Sequence, residues 1–67
     1  MTIRHLKIFI AVYEYNGMSA AARALYVAQP TISQAIAELE NYYGFFLFER
    51  LGKKLYITEQ GKEILLY

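Results

Sequence analysis

Sixty-seven residues, 57% hydrophobic and 16% aromatic, suffice for one small domain with a core and lie far from a disordered composition. The chain has no cysteine, one histidine and no aspartate among its six acidic residues, which excludes a disulfide framework, a thiolate metal site and a Ser-His-Asp triad. A net charge of +1 is a faint footprint for nucleic acid, and the apolar run from Ile8 to Tyr13 is too short to cross a membrane or form a signal-peptide core. The expectation is a cytoplasmic, non-enzymatic domain with no metal, no cofactor and no membrane partner.

Thr2 can cap a first helix that runs to about Tyr15 and ends at Asn16-Gly17. Its main apolar face is Ile3, Leu6, Phe9, Ile10 and Tyr13, and a second stripe, Ile8, Val12 and Tyr15, lies roughly opposite. Two stripes place the helix between the core and another helix; the plainer alternative is a helix that is merely apolar. His5 reads as a surface residue with no candidate partner. Ser19 is a good cap for a short second helix, Ala20 to about Tyr26, in which Ala21 and Ala22 admit a close neighbour and Leu25 points to the core.

Val27-Ala28 leads directly into the stretch around which the chain is organised, residues 29–40. Ile32, Ala35, Ile36, Leu39 and Tyr43 follow the spacing of one buried helix face, and Pro30 suits the first helical turn. At about 100° per residue, Pro30, Gln34, Ala37 and Asn41 line the opposite face, flanked by Thr31 and Ser33. Its first two turns are free of charge. A solvated face ordinarily carries Lys and Glu, so this one points to close polar contact, and DNA base edges fit it. Two short helices joined by a tight turn are also the helix-turn-helix pattern, although helical hairpins occur in proteins that never meet DNA.

Gly44 ends the third helix, and Phe45-Phe46-Leu47-Phe48 has strand character. Gly52-Lys53-Lys54 reads as a hairpin tip and Leu55-Tyr56-Ile57 as the returning strand, together a basic wing. Thr58 can cap a last helix with Glu59 in its first turn, running on through Ile64-Leu65-Leu66-Tyr67. Four large apolar residues at an open end read as a helix cut short, so the expectation is an N-terminal piece of a longer protein.

Ala21-Ala22, Leu25, Gln29-Pro30, Ser33, Ile36, Leu39-Glu40, Gly44, Leu47-Phe48, Arg50 and Thr58-Glu59-x-Gly61 resemble the DNA-binding domain of the LysR-type transcriptional regulators. The resemblance implies a mainly α winged helix-turn-helix: a three-helix core, a two-stranded wing and the start of a linker helix. It divides the chain into a DNA-binding domain at 1–57 and a linker helix starting at 58–67, with a C-terminal effector-binding domain absent from this chain. It implies recognition helix 30–42 in the major groove, the wing on phosphate beside the minor groove, and double-stranded DNA carrying an interrupted inverted repeat as partner. A second copy would pair through Ile64, Leu65 and Tyr67 of the linker helix, and a small effector would bind only through the absent domain.

Carried over by position, Gln29, Pro30, Ser33 and Gln34 match the family's DNA surface, with Thr31 among them, and Arg50 and Lys53 match the wing. Lys54 is added as a neighbouring phosphate contact, against its plain use in keeping a hairpin edge soluble. Gln29 and Gln34 each offer a donor and an acceptor that match adenine N6 and N7, against plain surface polarity or, for Gln29, local capping. Gln34, Ala37 and Glu38 stand where the family is often basic, which shifts phosphate attraction to Arg50, Lys53 and Lys54. Phe9, Tyr13, Ile32, Ile36, Leu39 and Phe48 read as core, and Tyr42, Tyr43 and Tyr56 as core or rim. The alternative function is a winged-helix module that uses the same helix face for a protein partner.

Overall fold

Three helices end where the backbone turns left-handed. α1 (Ile3–Tyr15) stops at Asn16, φ 57°; α2 (Met18–Leu25) at Tyr26, φ 58°; and α3 (Gln29–Tyr43) at Gly44, φ 81°. Across the first two ends the amides of Gly17 and Val27 reach back to the carbonyls of Val12 and Ala22, the long closing bond of a Schellman turn. In this computed structural model, which describes residues 3–52 and 54–65, a hairpin of β1 (Phe48–Leu51) and β2 (Lys54–Ile57) follows, then α4 (Glu59–Leu65). The expected cap Thr2, the wing residue Lys53 and the interface residue Tyr67 lie outside the described residues.

Tyr26 is the unusual stop. The residue is 94% exposed, so nothing in the packing offsets a left-handed Cβ, which costs roughly 1–2 kcal/mol. The extra unfolded-state freedom of glycine subtracts roughly 0.5–1 kcal/mol from the relief. Tyr26→Gly is therefore expected to stabilise the domain by about 0.5–1 kcal/mol in urea unfolding; a lower midpoint would show that the ring is used.

The core forms where the three helices meet. Phe9 and Val12 from α1, Ile32, Ile36 and Leu39 from α3, and Leu47 from the connection to the wing are fully buried, and Ala21 and Ala22 of α2 close the gap. Phe48, the first residue of β1, sets its ring edge-on to Phe9 at 5.4 Å, which anchors the wing on the core. The strands pair antiparallel, Phe48 with Ile57 through Leu51 with Lys54.

Several expectations are corrected. Of the stripe read as the main face of α1 only Phe9 is buried, while Ile3, Ile10 and Tyr13 are exposed; the core takes Ile8, Phe9, Ala11 and Val12. α2 begins at Met18 with Gly17 as its N-cap, so Ser19 sits inside the first turn, and Leu25 is exposed rather than in the core. Strand pairing starts only at Phe48, because residues 44–47 turn the chain and use Leu47 as a core plug. The cap at Thr58 is as expected: its Oγ1 accepts the Gly61 amide at 3.0 Å.

That cap belongs to a larger junction. The Thr58 hydroxyl donates to the Phe46 carbonyl at 2.7 Å, and the Thr58 amide donates to the Leu47 carbonyl at 2.9 Å. From the other side the Glu40 carboxylate accepts the Leu47 amide at 2.8 Å. One residue, Leu47, thus ties the end of α3 to the start of α4 and fixes the root of the wing between them.

Candidate nucleic-acid interface

The two faces of α3 separate as its spacing requires. Ile32, Ala35, Ile36 and Leu39 are buried, while Gln29, Pro30, Thr31, Gln34, Ala37 and Asn41 are exposed. Ala28 is the N-cap without a side-chain bond, and Pro30 occupies the first turn. Gln29 caps nothing. Its amide nitrogen donates to Ser33 Oγ at 2.9 Å, one turn along. Ser33 is half-buried and its hydroxyl donates in turn to the sulfur of Met18 at 3.3 Å, at the start of α2. Thr31 and Gln34 flank a shallow cleft between α3 and α1 whose other walls are Arg4, His5, Ile8, Ala35 and Glu38.

Both carboxylates of α3 are engaged. Glu40 holds the Leu47 amide, and Glu38 lies 2.7 Å from Nε2 of His5. His5, expected to be a partnerless surface residue, is therefore a bridge between α1 and α3, with its side chain only 21% exposed. The described side chains of α3 carry no positive charge, so the partner of Glu38 is supplied by α1.

On the wing, Arg50 and Lys54 are both exposed, but they do not share a face. Paired residues of an antiparallel ladder project to one side, so Arg50 lies with Phe48, Leu55 and Ile57, and Lys54 with Glu49, Leu51 and Tyr56. The two cations are presented on opposite sides of the ribbon. Ile64 and Leu65 of α4 are half-buried and packed against the chain's own core. Tyr42 and Tyr43 meet edge-on at 5.2 Å and Tyr43 stacks on Phe45, which is rim packing as expected. Met18 and His5 escaped the sequence reading because their partners lie 15 and 33 residues away.

The family model "Bacterial regulatory helix-turn-helix protein, lysR family" matches residues 3–62. The RuBisCO operon transcriptional regulator of Allochromatium vinosum is 40% identical over 67 residues, all of this chain and 22% of that protein. The chain thus spans under a quarter of the length of that curated relative. Among solved structures, the BenM DNA-binding domain in complex with benA site 1 DNA superposes with a TM-score of 0.94 at 37% identity, covering 100% of this chain and 78% of that one. The CbnR DNA-binding domain in complex with DNA gives 0.92 at 41% identity, covering 98% and 76%. No described helix is long and apolar enough to cross a membrane. Four helices and a two-stranded wing among the described residues, the charge-free exposed side of the first two turns of α3 and a family match over residues 3–62 lead to one assignment: the chain belongs to the LysR family of bacterial regulatory helix-turn-helix proteins.

Proposed function

We propose that this chain is the sequence-specific, double-stranded-DNA-binding domain of a LysR-type transcriptional regulator, acting in the cytoplasm without chemistry of its own. The observation that carries the reading is the near-superposition, at 37–41% identity, on two domains solved on DNA. α3 enters the major groove with Gln29, Pro30, Thr31, Ser33 and Gln34 at the base edges and flanking phosphates. Arg50, Lys53 and Lys54 of the wing contact phosphate beside the minor groove.

Residues 1–57 form the DNA-binding unit and 58–67 the start of a linker helix. In the full regulator Ile64, Leu65 and Tyr67 join a second copy, and the stripe of Ile3, Ile10 and Tyr13 that α1 leaves open is apolar surface for the same contact. Two copies would address an interrupted inverted repeat, and an effector would act through a C-terminal domain outside this chain.

Fluorescence anisotropy against pooled random duplexes, repeated over a salt series, tests the reading. Affinity should fall linearly on a log–log salt plot, and selection from the pool should return an operator half-site. Gln34→Ala is expected to lose roughly tenfold of the base discrimination at one step of that half-site while leaving the salt slope unchanged. Silence at low salt, persisting in an artificially dimerised version, would favour the protein-interaction alternative.

A further inference from the structure

We infer that Met18, a residue outside the recognition helix, sets base preference by fixing which way the Gln29 carboxamide faces; the inference rests on the DNA-binding reading above. A carboxamide can rotate by 180° about its last bond and exchange oxygen for nitrogen with almost no change in shape, so an exposed glutamine has no intrinsic orientation. Here hydrogen-bond polarity removes that freedom. A thioether sulfur carries no hydrogen and can only accept. The single hydroxyl hydrogen of Ser33 is directed to it, across 3.3 Å from Oγ to the Met18 sulfur. With its hydrogen committed, Ser33 Oγ can only accept toward α3, and the 2.9 Å contact with Gln29 must come from the amide NH2. The carbonyl oxygen of Gln29 and the second amide hydrogen are thereby turned outward in one fixed order on an exposed side chain.

That order matters at a purine. Adenine offers a donor at N6 beside an acceptor at N7, which an outward oxygen and N–H can meet together; guanine offers acceptors at both O6 and N7. With the carboxamide held by Ser33, the oxygen is presented where adenine supplies a hydrogen and where guanine O6 would repel it. Met18 therefore acts as a specificity-determining residue at second hand: it orients Ser33, and Ser33 orients Gln29. Without the sulfur the Ser33 hydroxyl is free to donate to Gln29, the carboxamide gains its reversed orientation, and the adenine preference relaxes.

Met18→Leu keeps volume and helix propensity while deleting the acceptor. Sequence selection with the 67-residue chain should show adenine favoured over guanine at the step read by Gln29, and Met18→Leu should reduce that ratio roughly fivefold with the melting temperature and the salt slope unchanged. In the Gln29→Ala background, Met18→Leu should have no further effect, which a general packing defect would not reproduce. The Gln29 side-chain NH2 pair in a nitrogen–proton correlation spectrum gives an independent reading without DNA: its two hydrogens should be well separated in the unchanged chain and move together in Met18→Leu. An unchanged base profile in a folded Met18→Leu protein would overturn this inference and leave the DNA reading standing. Absence of salt-dependent duplex binding by the unchanged chain would overturn both.

Discussion

Gly61→Ala is expected to destabilise the domain by about 3 kcal/mol, although alanine is the better helix former by roughly 1 kcal/mol. Gly61 is buried in the first turn of α4, and a Cβ there would stand 2.7 Å from the Leu47 carbonyl oxygen and 2.9 Å from Cγ1 of Ile57. The isoleucine methylene could rotate aside. The carbonyl could not, since it accepts the Thr58 amide at 2.9 Å and belongs to a residue whose own amide is held by Glu40. Relief requires α4 to lift off the wing root. For a 67-residue domain, with a total stability of roughly 0.05–0.15 kcal/mol per residue, the change removes much of what holds it folded. Urea unfolding followed by circular dichroism measures it, and an unaltered midpoint would mean that the close approach is not held in solution.

Thr58→Val should cost about 2 kcal/mol. The replacement has nearly the same shape, so the loss isolates the hydroxyl. The buried amide of Gly61 forfeits its acceptor at 3.0 Å, and the Phe46 carbonyl its donor at 2.7 Å. Thr58→Ser keeps both bonds and should cost under about 1 kcal/mol, the value of the methyl group. Equal losses for valine and serine would assign the effect to packing instead. Because Gly61 and Thr58 act on the same carbonyl, the double substitution should cost less than the two single changes added together.

Much of this architecture was legible in the sequence where the signal is local. The apolar spacing of Ile32, Ala35, Ile36 and Leu39 gave α3 its buried side, Gly44 its end, and Thr58 the start of α4. What failed was choosing among faces and partners. α1 shows two apolar stripes, and periodicity locates both without saying where the neighbour packs; the buried face takes Phe9 from one and Ile8 and Val12 from the other, leaving Ile3, Ile10, Tyr13 and Tyr15 exposed. Ser19 has the better capping side chain, yet the helix starts at Met18 with Gly17 as its N-cap, whose amide also closes the preceding turn onto Val12. Arg50, Lys53 and Lys54 read together as the phosphate contacts of a basic wing, but the ladder register puts Arg50 and Lys54 on opposite faces. The bridges of His5 to Glu38 and Ser33 to Met18 exist only after folding brings the helices together.

The division of α3 into a buried and an exposed side also bears on how such a domain can change its operator. Gln34, Ala37 and Asn41 are exposed and lie outside the buried core. Exchanges at surface positions of this kind ordinarily alter stability by less than about 0.5 kcal/mol. On the DNA-binding reading proposed above, base preference can therefore change at these positions on one unchanged scaffold, whereas substitutions at Leu47, Thr58 and Gly61 strike the packing and hydrogen bonds of the wing root. On that reading Gln29 is the exception. Its side chain is tied through Ser33 to Met18 on another helix, so the preference at that step can also be altered by a substitution that touches no base.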